Sequence, residues 1–336
     1  MNKSKIFTLI LLLIFGYIVW KESGKSNALQ QVELQGATMG TVYHIKYLDA
    51  EARNFQTGID SLLKVFNQSL NHYLPDSEIS QFNRQDSFRI ILPYFYPVLK
   101  KSQEVYEKSG GAFDPTVAPL VNAWGFGPEG GQLPDSLQVD SLLQWVGFHH
   151  IQFTENYVVK NQPHITLNFS AIAKGYGIDV VAIYLQQQGI QNMMVEIGGE
   201  VRCQGVNPYG EPWRIGIDSP VAEGAMMATV AVKDRALATS GNYRNYYIKD
   251  GKKYTHTINP KTGYPVQHNL LSATVFADDC MTADAYATAF MVLGGEESKK
   301  ILNQEGSLDA YLIFDDGNGG LSSYRTPGIA DAITEL

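Results

Sequence analysis

The sequence predicts an α+β fold, organised as a compact single unit of mixed, largely antiparallel sheets with packed helices. Several short segments alternate apolar and polar residues, as half-buried strands do. Only a few turn residues separate many of these segments, which favours antiparallel pairing. Other segments repeat apolar residues at helical spacing, and they are interspersed irregularly among the strands.

In the first half of the chain, residues 41–48 place Tyr43, Ile45 and Tyr47 on one face and therefore predict a strand. Apolar residues recur at helical spacing from Ile59 to Leu70, which predicts a helix. A second helix is predicted around residues 95–106. Residues 125–135 are rich in glycine and proline and predict a loop.

The second half predicts a strand near residues 164–167 and a helix over about 172–188. Further strands are predicted at residues 193–197, 213–217, 228–232, 243–248 and 271–276. Two more helices are predicted at residues 282–293 and 296–304. The sequence shows neither an internal repeat nor a low-complexity block.

The composition excludes several classes of protein. The net charge is -8 and no basic stripe is present, so a nucleic-acid partner is not expected. With 44% hydrophobic residues, the chain can bury a large core. Cys203 and Cys280 lie far apart and form no CxxC pair, which argues against a sulfur-ligated metal. A disulfide between them stays open but is not favoured.

The N-terminus predicts export. Lys3 and Lys5 precede an apolar run over residues 6–20, and Lys21 follows it. A charged start before an apolar stretch of this length is typical of a secretory signal or a short signal-anchor. We therefore divide the chain into an export segment with its linker, residues 1–29, and a folded domain, residues 30–336. Whether the segment is cleaved stays open.

A candidate metal site lies in the helix predicted after residue 281. Asp284 and Thr288 are four residues apart, so they share one helical face and offer two hard oxygen ligands of the kind that Mg²⁺ prefers. From spacing alone a plainer interpretation is favoured. In it Asp278 or Asp279 caps the helix and Asp284 is solvated.

Two further segments carry polar groups that suit an anionic ligand. Residues 168–177 form a strand-to-helix junction, where free backbone N–H groups and Lys174 suit phosphate. The alternative there is a plain helix entry capped by Ser170. His256 lies in a polar, turn-rich segment where a neutral imidazole suits a general base. A lone histidine on a strand is more often structural.

These motifs occur in a fixed order with several others that are weak individually. The set comprises Met39-Gly40-Thr41, Tyr73 with residues 77–80, and residues 110–117, 124–127, 170–175, 198–200, 238–241, 256–263 and 283–285. Together they resemble the FAD:protein FMN transferase family, also called the ApbE family. The resemblance implies a catalytic domain over residues 30–336 that binds FAD in an extended cleft.

The resemblance also implies roles for particular residues. The FAD site would be lined by Met39, Tyr73, Ala112, Phe113, Asp114, Asn168, Lys174 and Ile258. The main-chain oxygen of Ala171 and the side chains of Asp284 and Thr288 would hold Mg²⁺. His256 is the candidate for removing a proton from the attacking hydroxyl.

Three positions depart from the family's pattern. Asn168 stands where some members have aspartate, and Lys174 stands where some have glutamate. We expect these differences to change the charge near the nucleotide. Ala287 lacks a carboxylate that some members carry, so weaker metal binding is expected.

The implied reaction is Mg²⁺-dependent cleavage of FAD. FMN passes to a threonine hydroxyl of an acceptor protein through a phosphoester bond, and AMP is released. The family's acceptors carry a motif resembling Asp-Gly-Ala-Thr and are typically subunits of membrane redox complexes. We expect the enzyme in the periplasm or at the periplasmic face of the inner membrane. Three alternatives stay open, namely an FAD pyrophosphatase, a non-catalytic periplasmic flavin-binding protein and a structural subunit of a membrane complex.

Overall fold

The computed structural model describes residues 28–127, 133–222, 224–243, 245–249 and 251–336. The predicted export segment lies almost wholly outside these residues, as does the middle of the loop predicted over residues 125–135. Among the described residues, no helix is long and apolar enough to cross a membrane.

An eight-stranded sheet runs through the molecule. Its strands are β1 (Gln30–Thr38), β2 (Thr41–Asp49), β6 (Met193–Ile197), β7 (Glu200–Gln204), β10 (Arg235–Gly241), β13 (Leu270–Ala277), β14 (Asp309–Asp315) and β15 (Leu321–Arg325). They lie side by side in that order. Every neighbouring pair is antiparallel, so the sheet is more regular than the predicted mixture.

Three smaller sheets complete the described strands. They comprise β3 (Ser87–Arg89), β5 (Tyr157–Lys160) and β4 (Ile151–Phe153); β16 (Ile333–Glu335), β9 (Met226–Val232) and β8 (Trp213–Asp218); and the hairpin of β11 (Tyr246–Lys249) and β12 (Lys252–Thr255). Asn245 and His256, which flank the β11–β12 hairpin, line the first of the two cavities described below, and residues of β12 line the second.

The helices described are α1 (Gln56–Leu70), α2 (Glu78–Asn83), α3 (Phe95–Lys108), α4 (Ala118–Ala123), α5 (Ser136–Leu143), α6 (Ala173–Gln187), α7 (Cys280–Leu293) and α8 (Gly295–Gln304). Helices α6 and α7 pack against each other and against the central sheet. Small buried residues such as Ala283, Ala285 and Ala289 let α7 lie close to β10 and β13, and Phe290 fills the core beside them.

Most predicted elements are confirmed to within a few residues, including the helices α1, α3, α6, α7 and α8. The strand predicted at residues 164–167 is wrong. Ile165 and Leu167 are buried as the alternation requires. However, the Asn83 side chain bonds both the N–H and the C=O of Leu167, at 2.8 and 2.9 Å. A side chain therefore takes the place of a neighbouring strand. The strand predicted from residue 243 begins only at Tyr246.

Candidate functional site

A cavity of about 500 Å³ opens where the first turn of α6 and the later turns of α7 meet the end of β10. All predicted site residues except Met39 and Tyr73 line it: Ala112, Phe113, Asp114, Asn168, Ala171, Lys174, His256, Ile258, Asp284 and Thr288. Glu200, Thr239, Ser240 and Thr257 also contribute to its walls. The fold therefore gathers residues from six separated segments of the sequence.

Helices α6 and α7 approach each other closely at Gly175. Its backbone N–H donates to Asp284 Oδ2 at 3.0 Å. A Cβ atom at Gly175 would lie 2.2 Å from the carbonyl oxygen of Cys280. Only glycine fits such a close approach. The contact at Gly175 therefore fixes the position of Asp284 relative to α6.

The start of α7 is held by two aspartates. Asp279 is the N-cap, and its Oδ1 accepts from the backbone N–H of Thr282 at 2.7 Å. Asp179 of α6 accepts from the backbone N–H groups of Cys280 at 2.9 Å and Met281 at 2.8 Å. Arg202 donates to Asp179 at 2.5 Å. The capping prediction for Asp279 is thus confirmed. Asp284 is buried rather than solvated.

Two acidic groups and one basic group share the floor of the cavity. Lys174 Nζ donates to Glu200 Oε1. Burial opposes the charge of Lys174, but Asp284 and Glu200 outweigh burial and raise the lysine pKa to about 12. Burial raises the pKa of Glu200 to about 7 against the opposing effect of Lys174. Burial also raises the pKa of Asp284. The cavity floor therefore holds two carboxyl groups, and the single positive charge of Lys174 cannot neutralise both when they are ionised.

The donor set around Asp284 fits Mg²⁺. Thr288 lies one turn further along α7, and its Oγ1 is 3.3 Å from Ser240 Oγ. Ala171 lines the same wall. Within the part of the chain that the structure describes, no three His, Cys, Asp or Glu side chains cluster as a metal site. Such a small number of protein oxygen ligands suits Mg²⁺, because this ion usually completes its coordination shell with water and phosphate oxygens.

The structure places Ala287 away from the cavity, and the expected weaker metal binding stays a prediction. Ala287 is completely buried in the hydrophobic core and is not part of the cavity wall. A carboxylate is therefore not missing from the cavity at this position.

His256 lines the cavity from the segment that directly follows β12. Its Nδ1 is 3.1 Å from the carbonyl oxygen of Asn245. Since a carbonyl only accepts, Nδ1 carries the proton and Nε2 keeps its lone pair. Burial lowers the pKa of His256 below its usual value, although the bond to Asn245 opposes that effect. The imidazole is therefore neutral at pH 7, as a general base must be.

The loop residues predicted to contact FAD lie along one wall. The Asp114 carboxylate bonds to nearby protein groups. Its Oδ1 accepts from the backbone N–H of Thr116 at 2.8 Å and from the Thr116 hydroxyl at 2.6 Å. Its Oδ2 accepts from the backbone N–H of Phe148 at 3.2 Å. Burial raises its pKa to about 6. Asn168 N donates to Pro115 O at 2.8 Å, which joins the two wall loops. Asp114 therefore shapes its loop.

The N-terminus of α6 offers less to phosphate than the sequence suggests. Ala173 N donates to Phe169 O at 2.8 Å, and Gly175 N is taken by Asp284. Ser170 is not the cap either, because the helix begins after Ile172 and has no side-chain cap. Lys174 remains the charged group that this segment presents to the cavity.

Met39 and Tyr73 lie outside the cavity wall. Met39 is in the turn between β1 and β2 with φ of 50°, and it packs between two hydrophobic clusters. Tyr73 is 67% exposed, with its ring centroid 4.1 Å from that of His72. Their contact with FAD stays a prediction.

Sequence reasoning missed Glu200 and Asp179 as site residues. Glu200 is the last residue of the motif at residues 198–200, and the two glycines before it form the tight β6–β7 turn. Its position directly after two glycines was the available signal. Asp179 lies on α6 one turn beyond Gly175, on the side that meets α7. Its sequence context gave no signal.

Comparison with known proteins gives one consistent family. The ApbE family model matches residues 39–312. The FAD:protein FMN transferase of Vibrio cholerae is 42% identical over 290 residues, covering 83% of this chain and 86% of the relative. That of Haemophilus influenzae is 40% identical over 304 residues, covering 86% and 88%.

Solved structures agree with this comparison. The flavin transferase ApbE from Vibrio cholerae superposes with a TM-score of 0.81 at 38% identity, covering 90% of this chain and 99% of that one. The flavinyl transferase ApbE of Pseudomonas stutzeri, in its apo form, gives a TM-score of 0.81 at 30% identity, covering 90% and 97%. The predicted family and α+β fold are confirmed, and this chain belongs to the ApbE family.

Proposed function

We propose that the protein is an FAD:protein FMN transferase, which cleaves FAD and attaches FMN to a threonine hydroxyl of an acceptor protein. One observation carries the proposal. Asp284 and Thr288, one turn apart on α7, line the same cavity as the neutral imidazole of His256. The proposed cation ligands and the proposed base thus line one cavity, which supports transfer of a phosphoryl-linked group.

The metal is proposed as Mg²⁺, held by the Ala171 carbonyl, Asp284 and Thr288. When bound, it would neutralise charge on the FAD pyrophosphate and on the departing AMP oxygen. The charges on the cavity floor support this proposal, because burial raises the pKa of both Asp284 and Glu200 and a cation would favour their ionised forms.

The protein's own groups carry the remaining steps. His256 Nε2 accepts the proton of the acceptor threonine hydroxyl as its oxygen attacks the FMN phosphorus. The bond between that phosphorus and the AMP oxygen breaks, so a phosphoester forms and AMP leaves. Lys174, held by Glu200, offers positive charge beside the pyrophosphate. The wall of Ala112, Phe113, Asn168 and Ile258 supplies contact area for FAD.

The acceptor and the location are also proposals. We propose that acceptors are subunits of membrane redox complexes with a segment resembling Asp-Gly-Ala-Thr. We further propose that the enzyme acts in the periplasm or at the periplasmic face of the inner membrane. The lysines that flank the apolar run of residues 6–20 support export.

The decisive experiment incubates the purified protein with FAD, Mg²⁺ and an acceptor that carries an Asp-Gly-Ala-Thr segment. Acceptor mass and free nucleotides are followed with and without a chelator. A gain of one FMN on the acceptor with AMP release, abolished by the chelator, supports the transferase. Free FMN and AMP with an unmodified acceptor support a pyrophosphatase. FAD that binds but stays intact supports a binding protein.

A further inference from the structure

A second cavity, of about 700 Å³, lies beside the first and is here called the hairpin groove. It is lined by Asn242, Gly251, Lys253, Thr255, Val266, Gln267, His268, Asn269, Leu270, Leu271, Asp315, Asp316 and Gly317. One wall is therefore the β11–β12 hairpin, and the other walls are the segment before β13 and the end of β14. None of these residues belongs to the proposed FAD or metal site.

The hairpin groove and the catalytic cavity share a wall. Thr257 lines the catalytic cavity, and its Oγ1 donates to Oδ1 of Asn242, which lines the groove, at 2.5 Å. Both residues are buried. His268 in the groove donates from Nε2 to the carbonyl oxygen of Met291, at 2.9 Å, and Met291 lines the catalytic cavity. The Asn242–Thr257 and His268–Met291 contacts therefore separate the groove from the cavity that His256 lines.

Two polar atoms in the groove wall are buried and lack a partner among the described residues. Thr255 is only 6% exposed, and its Oγ1 makes no hydrogen bond. His268 Nδ1 is likewise unpaired. Because Nε2 donates to a carbonyl, the neutral ring leaves Nδ1 as an acceptor. Buried polar groups are nearly always satisfied, so both atoms are available for hydrogen bonds with a ligand. The Thr255 hydroxyl can donate or accept, and His268 Nδ1 can accept from an N–H group.

The groove walls favour an extended polypeptide over a nucleotide. Among the described residues that line the groove, Asp315 and Asp316 outnumber Lys253, so these residues supply no net positive charge for phosphate. β12 pairs with β11, and no other described strand covers the second edge of β12. Peptides often bind proteins by adding an extended segment beside such an edge, with backbone N–H groups as donors.

We propose that the hairpin groove docks the extended segment of the acceptor protein, whose threonine reaches past the Asn242–Thr257 pair to His256. This inference rests on the proposed transferase function. It assigns binding of the acceptor to the groove and binding of FAD to the catalytic cavity. The two substrates therefore enter through different surfaces and meet at the shared wall.

The test fills the groove at an exposed position. Gln267 is exposed at the groove rim, so Gln267→Trp adds bulk there without changing the core. Gln187→Trp, at the exposed end of α6, is the matched control. The probes are a short peptide containing Asp-Gly-Ala-Thr and a fluorescent copy with alanine in place of threonine. The first reports transfer, and the second reports docking alone through its anisotropy.

We expect Gln267→Trp to raise both the KM for the reactive peptide and the Kd for the alanine peptide by about tenfold or more. The Kd for FAD, measured by flavin fluorescence, stays unchanged, and Gln187→Trp leaves all three values unchanged. Thr255→Val, which removes the unpaired hydroxyl at nearly constant size, gives a smaller change in the same direction.

Failure of this inference is distinct from failure of the proposed function. If the unaltered protein transfers FMN but Gln267→Trp leaves both peptide constants unchanged, the groove is not the acceptor site. If Gln267→Trp weakens FAD binding to the same extent, the groove belongs to the nucleotide and the inference is overturned. If the alanine peptide binds in the groove but no FMN is transferred, the proposed function fails while docking stands.

Discussion

The two sides of the catalytic cavity are built in opposite ways. On the helix side, Asp284 and Glu200 are buried, and the position of Asp284 is fixed by Gly175. On the hairpin side, His256 follows a two-stranded sheet whose Tyr246 and Ile248 are exposed. The helix side is suited to holding charge in a fixed geometry, whereas the hairpin side is suited to admitting a macromolecule. Each prediction below tests one side of this comparison.

The largest effect is expected from Asp284→Asn. This change keeps the side-chain volume but removes the charge proposed to hold Mg²⁺. We expect the transfer rate to fall by roughly 10³-fold, which is the scale for losing one preorganised electrostatic contact in a reaction. The rate is measured from acceptor mass over time. Asp278→Asn, at an exposed aspartate just before α7, is the control and keeps full activity. Full activity in Asp284→Asn would contradict the assignment of Asp284 as a Mg²⁺ ligand.

His256→Ala tests the hairpin side. Loss of a general base typically costs about 10²-fold or more, so we expect a fall of about 10²-fold in kcat. The Kd for FAD stays nearly constant, because the change leaves the helix side intact. His164→Ala, at an exposed histidine, serves as the control. An equal loss of FAD affinity and kcat would instead indicate a binding role for His256.

Asp179→Asn separates positioning from chemistry. An amide cannot accept from both backbone N–H groups of Cys280 and Met281 as the carboxylate does. The start of α7 therefore shifts, and Asp284 with it. We expect the Mg²⁺ concentration for half-maximal rate to rise about tenfold, the lower end of the effect of outer-shell partners of metal sites.

The control for that prediction is Asp309→Asn. Asp309 accepts from Arg235 at 2.5 Å, as Asp179 does from Arg202, but its other side-chain partner is Thr326 rather than a backbone group of α7. Both substitutions lower the melting temperature, whereas only Asp179→Asn changes the Mg²⁺ requirement. Equal Mg²⁺ requirements in the two variants would show that the contact at Asp179 is only structural.

The smallest effect concerns pH. Burial lowers the pKa of His256, so the neutral, active form persists to lower pH than for an ordinary histidine. At pH 6.5 more than half of the molecules keep a neutral imidazole, and the His256-dependent rate falls less than about twofold. Below the lowered pKa the rate declines as the ring is protonated. A His256-dependent limb centred above pH 6.5, present in the protein and absent in His256→Ala, would contradict this.

Local patterns alone predicted most of the helices. The apolar spacing from Ile59 to Leu70 and the small residues of α7 predicted helices that the structure confirms. The same kind of pattern failed at residues 164–167. There the alternation and burial are real, but the hydrogen bonds go to the Asn83 side chain. Periodicity reports which residues are buried, whereas a strand also needs a neighbour that sequence spacing does not supply.

The sequence by itself determined the fold class, the family and most of the cavity wall, because these depend on short motifs whose order is visible along the chain. Only the tertiary structure decided which polar groups act together. Glu200 pairs with Lys174, and Asp179 accepts from the first two backbone N–H groups of a helix that begins a hundred residues later. It also showed that Ala287 faces the core rather than the cavity. Charge coupling and hydrogen bonding depend on distances of a few ångströms between remote segments, and only the folded chain sets those distances.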